Sequence, residues 1–365
     1  MKKFIQGITN LSIKFLDIML SGDSQITSNQ AISPYSFSQV FGILSNDQNH
    51  VSKKRYMNRL GFKSQDNKFN ENSKEFNENL VEDNKNRKNI FLVKNFLLHR
   101  NDVKINENTE KIINEFYNST VTSYDPYDTE QELKKINEMV AGATYGNIKE
   151  ALKSIIPRTT LSVVNTLYMK YEWFNQFDYS SHENFVSFSG QNRQEMMYKI
   201  SKFDVYQDDT KMAVKMHFKD SNFKNGKKTI KKLCDEKELD KILTKMKYKN
   251  IELIFPKFKI ESESDLSDFY KELRIENLLK TTTFDSLIEN LNFKKLTIKQ
   301  KLSLDINEGG ISIQNSIPPA ITNSILENVE VFKFNTPFLW FVIKHDAKNN
   351  TNTPIIMGKY TGQEK

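Results

Sequence analysis

The sequence has 365 residues with only 12 Gly and 8 Pro, which leaves little room for flexible linkers and favours one large domain or two closely fused ones. Lys and Arg number 53 against 46 Asp and Glu, and this net charge of +7 is too small and too dispersed to indicate a nucleic-acid-binding protein. The 26 Phe and 14 Tyr supply large side chains for a core, so disorder of the whole chain is excluded. The single cysteine, Cys234, excludes an internal disulfide.

The amino-terminal segment predicts an amphipathic helix of the folded protein. Ile8, Leu11, Phe15 and Ile18 follow one another at spacings of three and four, and polar residues lie between them. These polar interruptions exclude the apolar stretch of a signal peptide, and no window approaches ~18 uninterrupted apolar residues. We therefore expect a protein that neither enters nor binds a membrane and that is cytoplasmic, or is released without a cleavable signal peptide.

Several segments in the first two thirds of the chain have the apolar pattern of a strand or a helix. Residues 90–98 and 161–174 are apolar and of strand length, which predicts interior strands that are apolar on both faces. Residues 104–117 return to helical spacing. Residues 251–260 predict a third strand, in which Pro256 indicates an edge position or a bulge.

The last third of the chain contains the clearest strand pattern and a long connection. Residues 329–334 and 338–343 predict a pair of strands, and residues 355–357 a last short one. Residues 307–328 show no strong period, and a long loop between two strands of a compact chain is usually functional or disordered. The strand before this loop is half-buried by its period of two, with these residues on its apolar face: Ile298, Gln300, Leu302, Leu304 and Ile306.

The sequence carries no catalytic or metal-binding signature. A GxSxG elbow, a Walker A loop and a GxGxxG turn are all missing. The histidines neither form an HExxH pair nor lie near the cysteine: His50, His99, His182, His217 and His345. We therefore expect a protein that is not an enzyme and that has no metal and no cofactor.

A lysine-dense segment at residues 224–249 admits two interpretations. Its cluster of Lys227, Lys228, Lys231 and Lys232 predicts one or two turns of a helix, on which polyanions could bind. Acidic residues follow directly, and a surface of mixed sign is typical of a solvated helix. The solvated helix is the favoured interpretation, and a polyanion partner is the alternative.

The chain resembles the serpin family in several blocks that follow one another in order. Asn29, Ser33, Pro34 and Ser36 in the segment NQAISPYS resemble the family's amino-terminal signature, and VVNTLYMKYEW, at 163–173, resembles a strand of its main sheet. The remaining blocks are INEMVAGATYGNI at 136–148, FPKFKI at 255–260, LDINEGG at 304–310, and FNTPF at 334–338 with Met357 and Gly358.

The resemblance implies an α+β fold of about nine helices and three β-sheets, with an exposed reactive loop near the carboxyl terminus. It implies one domain over residues 1–365, a hinge and reactive loop at 308–328, and a monomer. Inhibitory members of the family offer the loop to a target protease, which cuts it. The severed loop then inserts into the main sheet and carries the acylated protease with it. The native state is metastable, because its sheet lacks a strand that it could gain.

The resemblance also implies roles for particular residues around the top and the middle of that sheet. Glu308 and Lys257 resemble the ion pair of the breach, where insertion begins, and Trp173 lies beside them. Four further residues resemble the polar shutter, a group that lies below the breach in the family's main sheet: Ser33, Ser36, Asn165 and Gln300. Gln300 stands where His is common, and a buried amide needs partners, which Asn165 or a serine hydroxyl could supply.

The hinge departs from the family pattern. It comprises Glu308, Gly309, Gly310, Ile311, Ser312 and Ile313. Inhibitory members carry small residues after the glycine that matches Gly310. Here Ile311, Ile313 and Ile317 share one face at a period of two, and bulky β-branched side chains should slow insertion. Pro318 and Pro319 follow and cannot donate hydrogen bonds in a central strand, so insertion is expected to stall near Ile317.

The loop sequence indicates the class of target but leaves the reactive bond open. Counting from Glu308 suggests Ser324–Ile325, whereas counting back from Phe334 suggests Leu326. Residues 311–329 contain no Lys or Arg, which favours a chymotrypsin-like or elastase-like serine protease, or a cysteine protease. Two functions follow from the resemblance: a suicide-substrate protease inhibitor, or a non-inhibitory serpin that acts as a binding protein or as a decoy that is cleaved without insertion.

Overall fold

The structure is a computed structural model, and it describes residues 1–21, 28–45, 50–62, 68–81, 89–155, 157–219, 223–229, 236–275, 287–289, 296–312, 329–346 and 351–362. These residues form eight α-helices and seventeen strands in three sheets, which confirms the predicted α+β class. None of the helices in these ranges combines the length and the apolar character needed to cross a bilayer.

The helices are α1 (Lys2–Ser21), α2 (Pro34–Ser45), α3 (His50–Leu60), α4 (Phe69–Val81), α5 (Glu107–Tyr117), α6 (Thr129–Ala143), α7 (Glu236–Thr244) and α8 (Ser267–Glu272). The strands are β1 (Gln30–Ile32), β2 (Ile90–Arg100), β3 (Lys104–Ile105), β4 (Ser119–Tyr124), β5 (Leu161–Glu172), β6 (Tyr179–Ser187), β7 (Gly190–Gln207), β8 (Met212–His217), β9 (Phe223–Thr229), β10 (Lys247–Pro256), β11 (Phe258–Asp265), β12 (Ile288–Glu289), β13 (Leu296–Ile306), β14 (Gly310–Ile311), β15 (Glu330–Lys333), β16 (Phe338–Asp346) and β17 (Thr351–Tyr360).

The strands are divided between one large, one medium and one small sheet. The nine-stranded sheet has the order β1-β17-β16-β9-β8-β7-β10-β15, with β6 paired to β7. The six-stranded sheet has the order β11-β13-β14-β5-β2-β4. The third sheet pairs β12 with β3. Because β13 and β5 also pair with each other directly, β14 separates them over only part of their length.

Burial of the six-stranded sheet on both faces explains its apolar strands. The main core lies on one face and includes Leu167 and Met169 of β5. A separate cluster lies on the other face, where Ile136 and Val140 of α6 pack near Val164 of β5. A strand covered on both sides needs apolar residues at consecutive positions, so the prediction for residues 161–174 is confirmed.

Other elements also agree with the sequence pattern. The predicted amino-terminal helix is α1, which buries Ile8, Leu11 and Phe15 while Ile18 is half-buried. The predicted half-buried strand is β13, in which buried and partly exposed residues alternate from Ile298 to Ile306. The helical spacing predicted for residues 104–117 is confirmed from Glu107 onward by α5, whose first turn is capped by the Asn106 side chain, whereas Lys104–Ile105 form the strand β3.

The prediction of one strand at residues 251–260 is wrong. β10 ends at Pro256 in the nine-stranded sheet, and β11 begins at Phe258 in the six-stranded sheet. Pro256 therefore marks the point at which the chain passes from one sheet to the other, because proline cannot continue the donor ladder. This crossing places Lys257 at the junction of the two sheets.

Two further predictions need correction. Residues 329–334 and 338–343 contain strands, but these do not pair: β15 lies parallel to β10, and β16 lies between β17 and β9. The helix predicted around Lys227 and Lys228 is wrong, because these residues belong to β9, which is paired on both sides. Tertiary pairing overrides the local spacing there. Residues 230–235, with Lys231, Lys232 and Cys234, lie outside the described ranges.

Candidate functional site at the top of the six-stranded sheet

The chain after β13 turns back into its own sheet. Ile311 of β14 lies opposite Ile306 of β13 on one side and opposite Tyr171 of β5 on the other, antiparallel to both. Farther down, β13 and β5 pair directly in parallel, from Leu296↔Leu161 to Ser303↔Tyr168. The sheet is therefore open at its top, where two residues fill the gap, and closed below.

Backbone and amide hydrogen bonds fix the turn that leads into β14. The Asn307 side-chain oxygen accepts from the amides of Gly309 and Gly310 at 3.1 and 3.3 Å. The Trp173 ring nitrogen donates to the Asn307 carbonyl at 2.9 Å, and the Trp173 amide donates to the Gly309 carbonyl at 2.9 Å. Sequence analysis missed Asn307, although an asparagine before two glycines is typical of such a turn.

Ion pairs tie the same turn to the junction of the two sheets. Lys257 Nζ lies 3.3 Å from Glu308 Oε1 and 3.2 Å from Glu195 Oε1, so the structure brings together the residues assigned to the breach. Ser180 Oγ donates to Glu195 Oε1 at 2.6 Å. Glu308 is buried, whereas Lys257 keeps about a third of its side chain exposed. Sequence analysis missed Glu195, because the sequence of β7 does not reveal which of its residues lie next to Lys257.

The charges in this group stabilise one another. Burial lowers the pKa of Lys257, but the hydrogen bond to Glu195 and the charges of Glu308 and Glu195 outweigh it, so the pKa of Lys257 is raised. The hydrogen bond from Ser180 and then the bond from Lys257 lower the pKa of Glu195 despite burial. The lysine is therefore held in its charged form between two carboxylates.

A group of aromatic side chains includes the strand partner of the residue that enters the sheet. The Ile311 side chain is fully buried in the main core, and its partner residue on β5 is Tyr171. The Tyr171 ring lies 5.1 Å from the Phe218 ring, and Phe218 stacks on Trp173 at 5.0 Å. Ile311 thus occupies an apolar site that is already formed.

The residues assigned to the shutter form one buried network below the opening. Gln300 Nε2 donates to Asn165 Oδ1 at 3.1 Å, across the direct contact of β13 with β5. Ser36 Oγ donates to the same oxygen at 2.5 Å, and the Ser33 amide donates to Gln300 Oε1 at 2.8 Å. All four residues are at most 1% exposed, so each hydrogen bond replaces lost contact with water.

The network extends to two residues that sequence analysis missed. Asn165 Nδ2 donates to Asn95 Oδ1 at 2.8 Å, and Asn95 Nδ2 donates to Gln39 Oε1 at 3.2 Å. Asn95 is a polar residue within the apolar run at 90–98, and such a residue in a buried strand indicates a hydrogen-bonded core position. The amides therefore link β13, β5, β2 and α2 in one chain of contacts.

Some of the sequence assignments lie outside the described residues. These are Ile313 of the hinge and the candidate reactive-bond residues Ser324, Ile325 and Leu326. The described chain stops at Ser312, whose φ of 52° lies in the left-handed region, and resumes at Val329. The part of the chain that is described holds no group of three or more His, Cys, Asp or Glu placed to bind a metal ion.

Comparisons with known proteins agree with this architecture. The sequence model of the family described as Serpin (serine protease inhibitor) matches residues 6–362. Antichymotrypsin-2 of Bombyx mori is 25% identical over 262 residues, which cover 66% of this chain and 69% of that protein. An uncharacterised serpin-like protein of Thermococcus kodakarensis is 23% identical over 262 residues, or 68% of this chain and 61% of its own length.

Solved structures share the fold over the full length. Human thyroxine-binding globulin, in complex with thyroxine, has a TM-score of 0.85 at 18% identity, and the alignment covers 100% of this chain and 99% of that chain. The native thermophilic serpin tengpin has a TM-score of 0.84 at 18% identity, with 100% and 95% covered. The chain belongs to the serpin family, which includes protease inhibitors.

Proposed function

We propose that this chain is a protease inhibitor that acts as a suicide substrate: a target protease cuts the loop at residues 308–328, and the hinge side of the cut loop then lengthens β14 within the six-stranded sheet. The observation that carries the proposal is the position of β14 between β13 and β5, above a region where those two strands still pair directly. A strand has thus begun where a longer strand would fit, and its growth would exchange the one ladder between β13 and β5 for two ladders, one on each side of β14.

The register of β14 supports insertion of the first residues after it. Antiparallel partners advance by one residue in opposite directions, so residue 313 would fall between Leu304 and Met169, on the core face. Both neighbours are fully buried and apolar. Ile313 suits such a position, and burying its side chain contributes about 1.5–3 kcal/mol.

The same register opposes insertion farther along the loop. Residue 315 would fall between Leu302 and Leu167, where the Asn315 amide would lack polar neighbours from these strands. Residue 317 would fall between Gln300 and Asn165 and would separate their hydrogen-bonded side chains. Pro318 and Pro319 follow, and each would leave one acceptor of a neighbouring strand unpaired. These positions favour the second candidate, a serpin that is cleaved as a decoy without full insertion.

The target proposed from the loop sequence is a chymotrypsin-like or elastase-like serine protease, with a cysteine protease as the further possibility. Residues 311–329 contain no Lys or Arg. The bond proposed for cleavage is Ser324–Ile325, with Leu326 as the alternative position. The silkworm relative carries the name antichymotrypsin-2, which supports a protease that prefers apolar residues.

The test is to incubate the protein with chymotrypsin, with elastase and with a papain-like cysteine protease, and to analyse the products after boiling in detergent. Inhibition by trapping gives a covalent complex with the mass of both chains, whereas the decoy function gives only a clipped chain and active protease. A variant with Asn315→Ala, Pro318→Ala and Pro319→Ala should increase the trapped fraction. If clipped product alone forms with the parent and with this variant, the inhibitory proposal is wrong.

A further inference from the structure

One edge strand of the six-stranded sheet carries no charged side chain. β4 is the last strand on its side, and no strand of the described chain pairs with its outer edge. Its sequence, STVTSY, contains no Lys, Arg, Asp, Glu or Pro, and Thr120, Val121 and Thr122 are β-branched. Such a segment has a high tendency to pair with a further strand.

Other edge strands are protected by charged side chains. β11 forms the opposite edge of the six-stranded sheet, and β6 and β15 lie at edges of the nine-stranded sheet. Charges on an edge strand oppose pairing with another chain. β4 lacks them and has six residues, whereas β1, another uncharged edge strand among the residues described, has three. The charged residues of the three protected strands are Lys259, Glu261, Glu263, Asp265, Glu183, Glu330 and Lys333.

One hydrogen bond shows which backbone groups of β4 point to the unpaired edge. The Asn101 amide, directly after β2, donates to the Tyr124 carbonyl at 2.9 Å, so the backbone groups of Tyr124 face β2. The amide and the carbonyl of one residue in a strand point to the same side, and this side alternates along the strand. The backbone groups of Ser119, Val121 and Ser123 therefore point away from β2.

These three residues allow the edge to pair with a second copy of itself. In an antiparallel pair, residues that lie directly opposite one another can exchange both of their backbone hydrogen bonds. A two-fold axis beside Val121 places Val121 opposite its own copy and Ser119 opposite Ser123, which allows about six hydrogen bonds between the two edges. An edge that is complementary to itself under a two-fold rotation meets the requirement for a symmetric dimer.

Charges beside the two ends of β4 are complementary under the same rotation. Lys94 Nζ donates to Asn118 Oδ1 at 2.5 Å, which places the ammonium group at the first end of the strand. Asp125 directly follows the last residue of the strand. The antiparallel pair brings residue 118 of one copy next to residues 124 and 125 of the other. Lys94 and Asp125 form no ion pair with other residues of the described ranges, so each copy supplies the charge that the other needs.

We infer that the edge of β4 is a homodimer interface, at which a second copy of this chain pairs antiparallel about Val121 and joins the two six-stranded sheets into one. This dimer differs from the monomer that the family resemblance implies, and it depends on neither cleavage nor insertion of the loop. Tyr127 is 96% exposed and lies within about 10 Å of the end of β4, so a second copy can also cover apolar area there. The contact is small, and we expect a dissociation constant on the order of 10 µM.

The experiment is sedimentation equilibrium of the full chain from about 1 to 200 µM. The edge variant carries Ser119→Lys and Ser123→Lys, which place lysines directly opposite one another at both ends of the paired edges. The matched control carries Ser181→Lys and Asn184→Lys, which add the same charge to the edge strand β6. We expect the edge variant to dimerise at least about tenfold more weakly than the parent and the control to match the parent.

An exchange of the two end charges tests the register of the pair. Lys94→Glu alone or Asp125→Lys alone places like charges next to one another, and each should raise the dissociation constant about tenfold. The variant with both substitutions restores opposite charges, and its dissociation constant should return to within about threefold of the parent value. If the double variant dimerises as weakly as the single variants, pairing about Val121 is wrong.

The remaining outcomes also decide the inference. A parent that stays monomeric up to about 200 µM overturns it. Equal dissociation constants for the parent and the edge variant, or an equal loss in the control, mean that the dimer forms elsewhere, and the inference is then wrong. The protein cut in the loop should remain dimeric, whereas a dimer that disappears on cutting would be formed through the loop. Should the edge variant melt at lower temperature than the parent, Ser123→Lys alone replaces it, with a smaller increase in the dissociation constant expected.

Discussion

Different interactions stabilise the top and the middle of the region where β5 and β13 lie side by side: ion pairs at the top and buried amide hydrogen bonds in the middle. At the top, β14 separates the strands, and the ion pairs of Lys257 are partly exposed to water. In the middle, Asn165 and Gln300 join the strands through a neutral network that is excluded from water. Exposed ion pairs are weak, whereas buried amides are costly to leave without partners. The difference predicts that the two strands separate more easily at the top than at the shutter.

The largest effect is expected at the shutter. Asn165→Ala should lower the free energy of unfolding by about 3 kcal/mol, because it removes a partner from Gln300, Ser36 and Asn95 at once. Urea unfolding followed by circular dichroism measures the change. Lys170→Ala on the same strand is the matched control, for which a change within about 0.5 kcal/mol is expected. An equal decrease in the free energy of unfolding for the two variants would contradict a stabilising role of the shutter network.

A smaller effect is expected for the residue that fills the opening. Ile311→Glu should displace the hinge from the sheet, since it replaces roughly 2–3 kcal/mol of apolar burial by a buried charge. Trp173 donates to the carbonyls of Asn307 and Gly309, so its fluorescence reports the departure through emission at longer wavelength and stronger quenching by acrylamide. Ile311→Val should keep the parent spectrum. Unchanged emission in Ile311→Glu would mean that the opening does not depend on this side chain.

The smallest effect is expected for the ion pairs. Lys257→Met should lower the free energy of unfolding by about 2 kcal/mol at neutral pH, and by less in high salt, because the pair with Glu195 is about one third exposed, whereas Glu308 is buried and loses its opposite charge. The comparison with Asn165→Ala, whose effect should not respond to salt, separates the two regions. If Lys257→Met and Asn165→Ala lowered the free energy of unfolding by the same amount, the proposed difference between the top and the middle of the sheet would be wrong.

The pH dependence of the Lys257→Met effect has a definite sign. The pKa of Glu195 is lowered from its usual 4.5, so the stabilisation is present above pH 4.5 and is lost as the pH falls through the lowered value. The pKa of Lys257 is raised from 10.5, so the stabilisation is present below that pH and is lost only as the pH rises through the raised value. The difference in melting temperature between the parent and Lys257→Met should therefore be constant from about pH 5 to pH 10 and should decrease at lower pH. A difference that grows in acid would contradict this account.

The sequence allowed prediction of those elements whose pattern follows from burial. The alternation in β13 revealed the core face that carries Gln300, and the apolar run of β5 revealed a strand covered on both sides. Both patterns arise because a side chain's exposure is set by the strand period. The residues of the breach and the shutter followed from family resemblance, since no local pattern relates Lys257 to Glu308 or Ser33 to Gln300.

Other features depend on register and long-range pairing, which a single sequence does not reveal. Glu195 meets Lys257 only because the chain changes sheets after Pro256. β9 forms in a lysine-rich segment because β8 and β16 pair with it on either side. The partial entry of Ile311 depends on its alignment with Ile306 and Tyr171, and that alignment then defines which loop residues suit the core and which do not.

The measurement that tests the central claim most directly is the melting temperature of the protein before and after a single cut in the loop. The account predicts that the cut chain melts at least ~5 °C higher, since β14 lengthens into the sheet and a gain of 1 kcal/mol raises the midpoint of a chain of 365 residues by about 1–2 °C. It also predicts a larger rise when Asn315, Pro318 and Pro319 are replaced by Ala. An unchanged melting temperature in both proteins would contradict it, because no stored free energy would then remain for the cut to release.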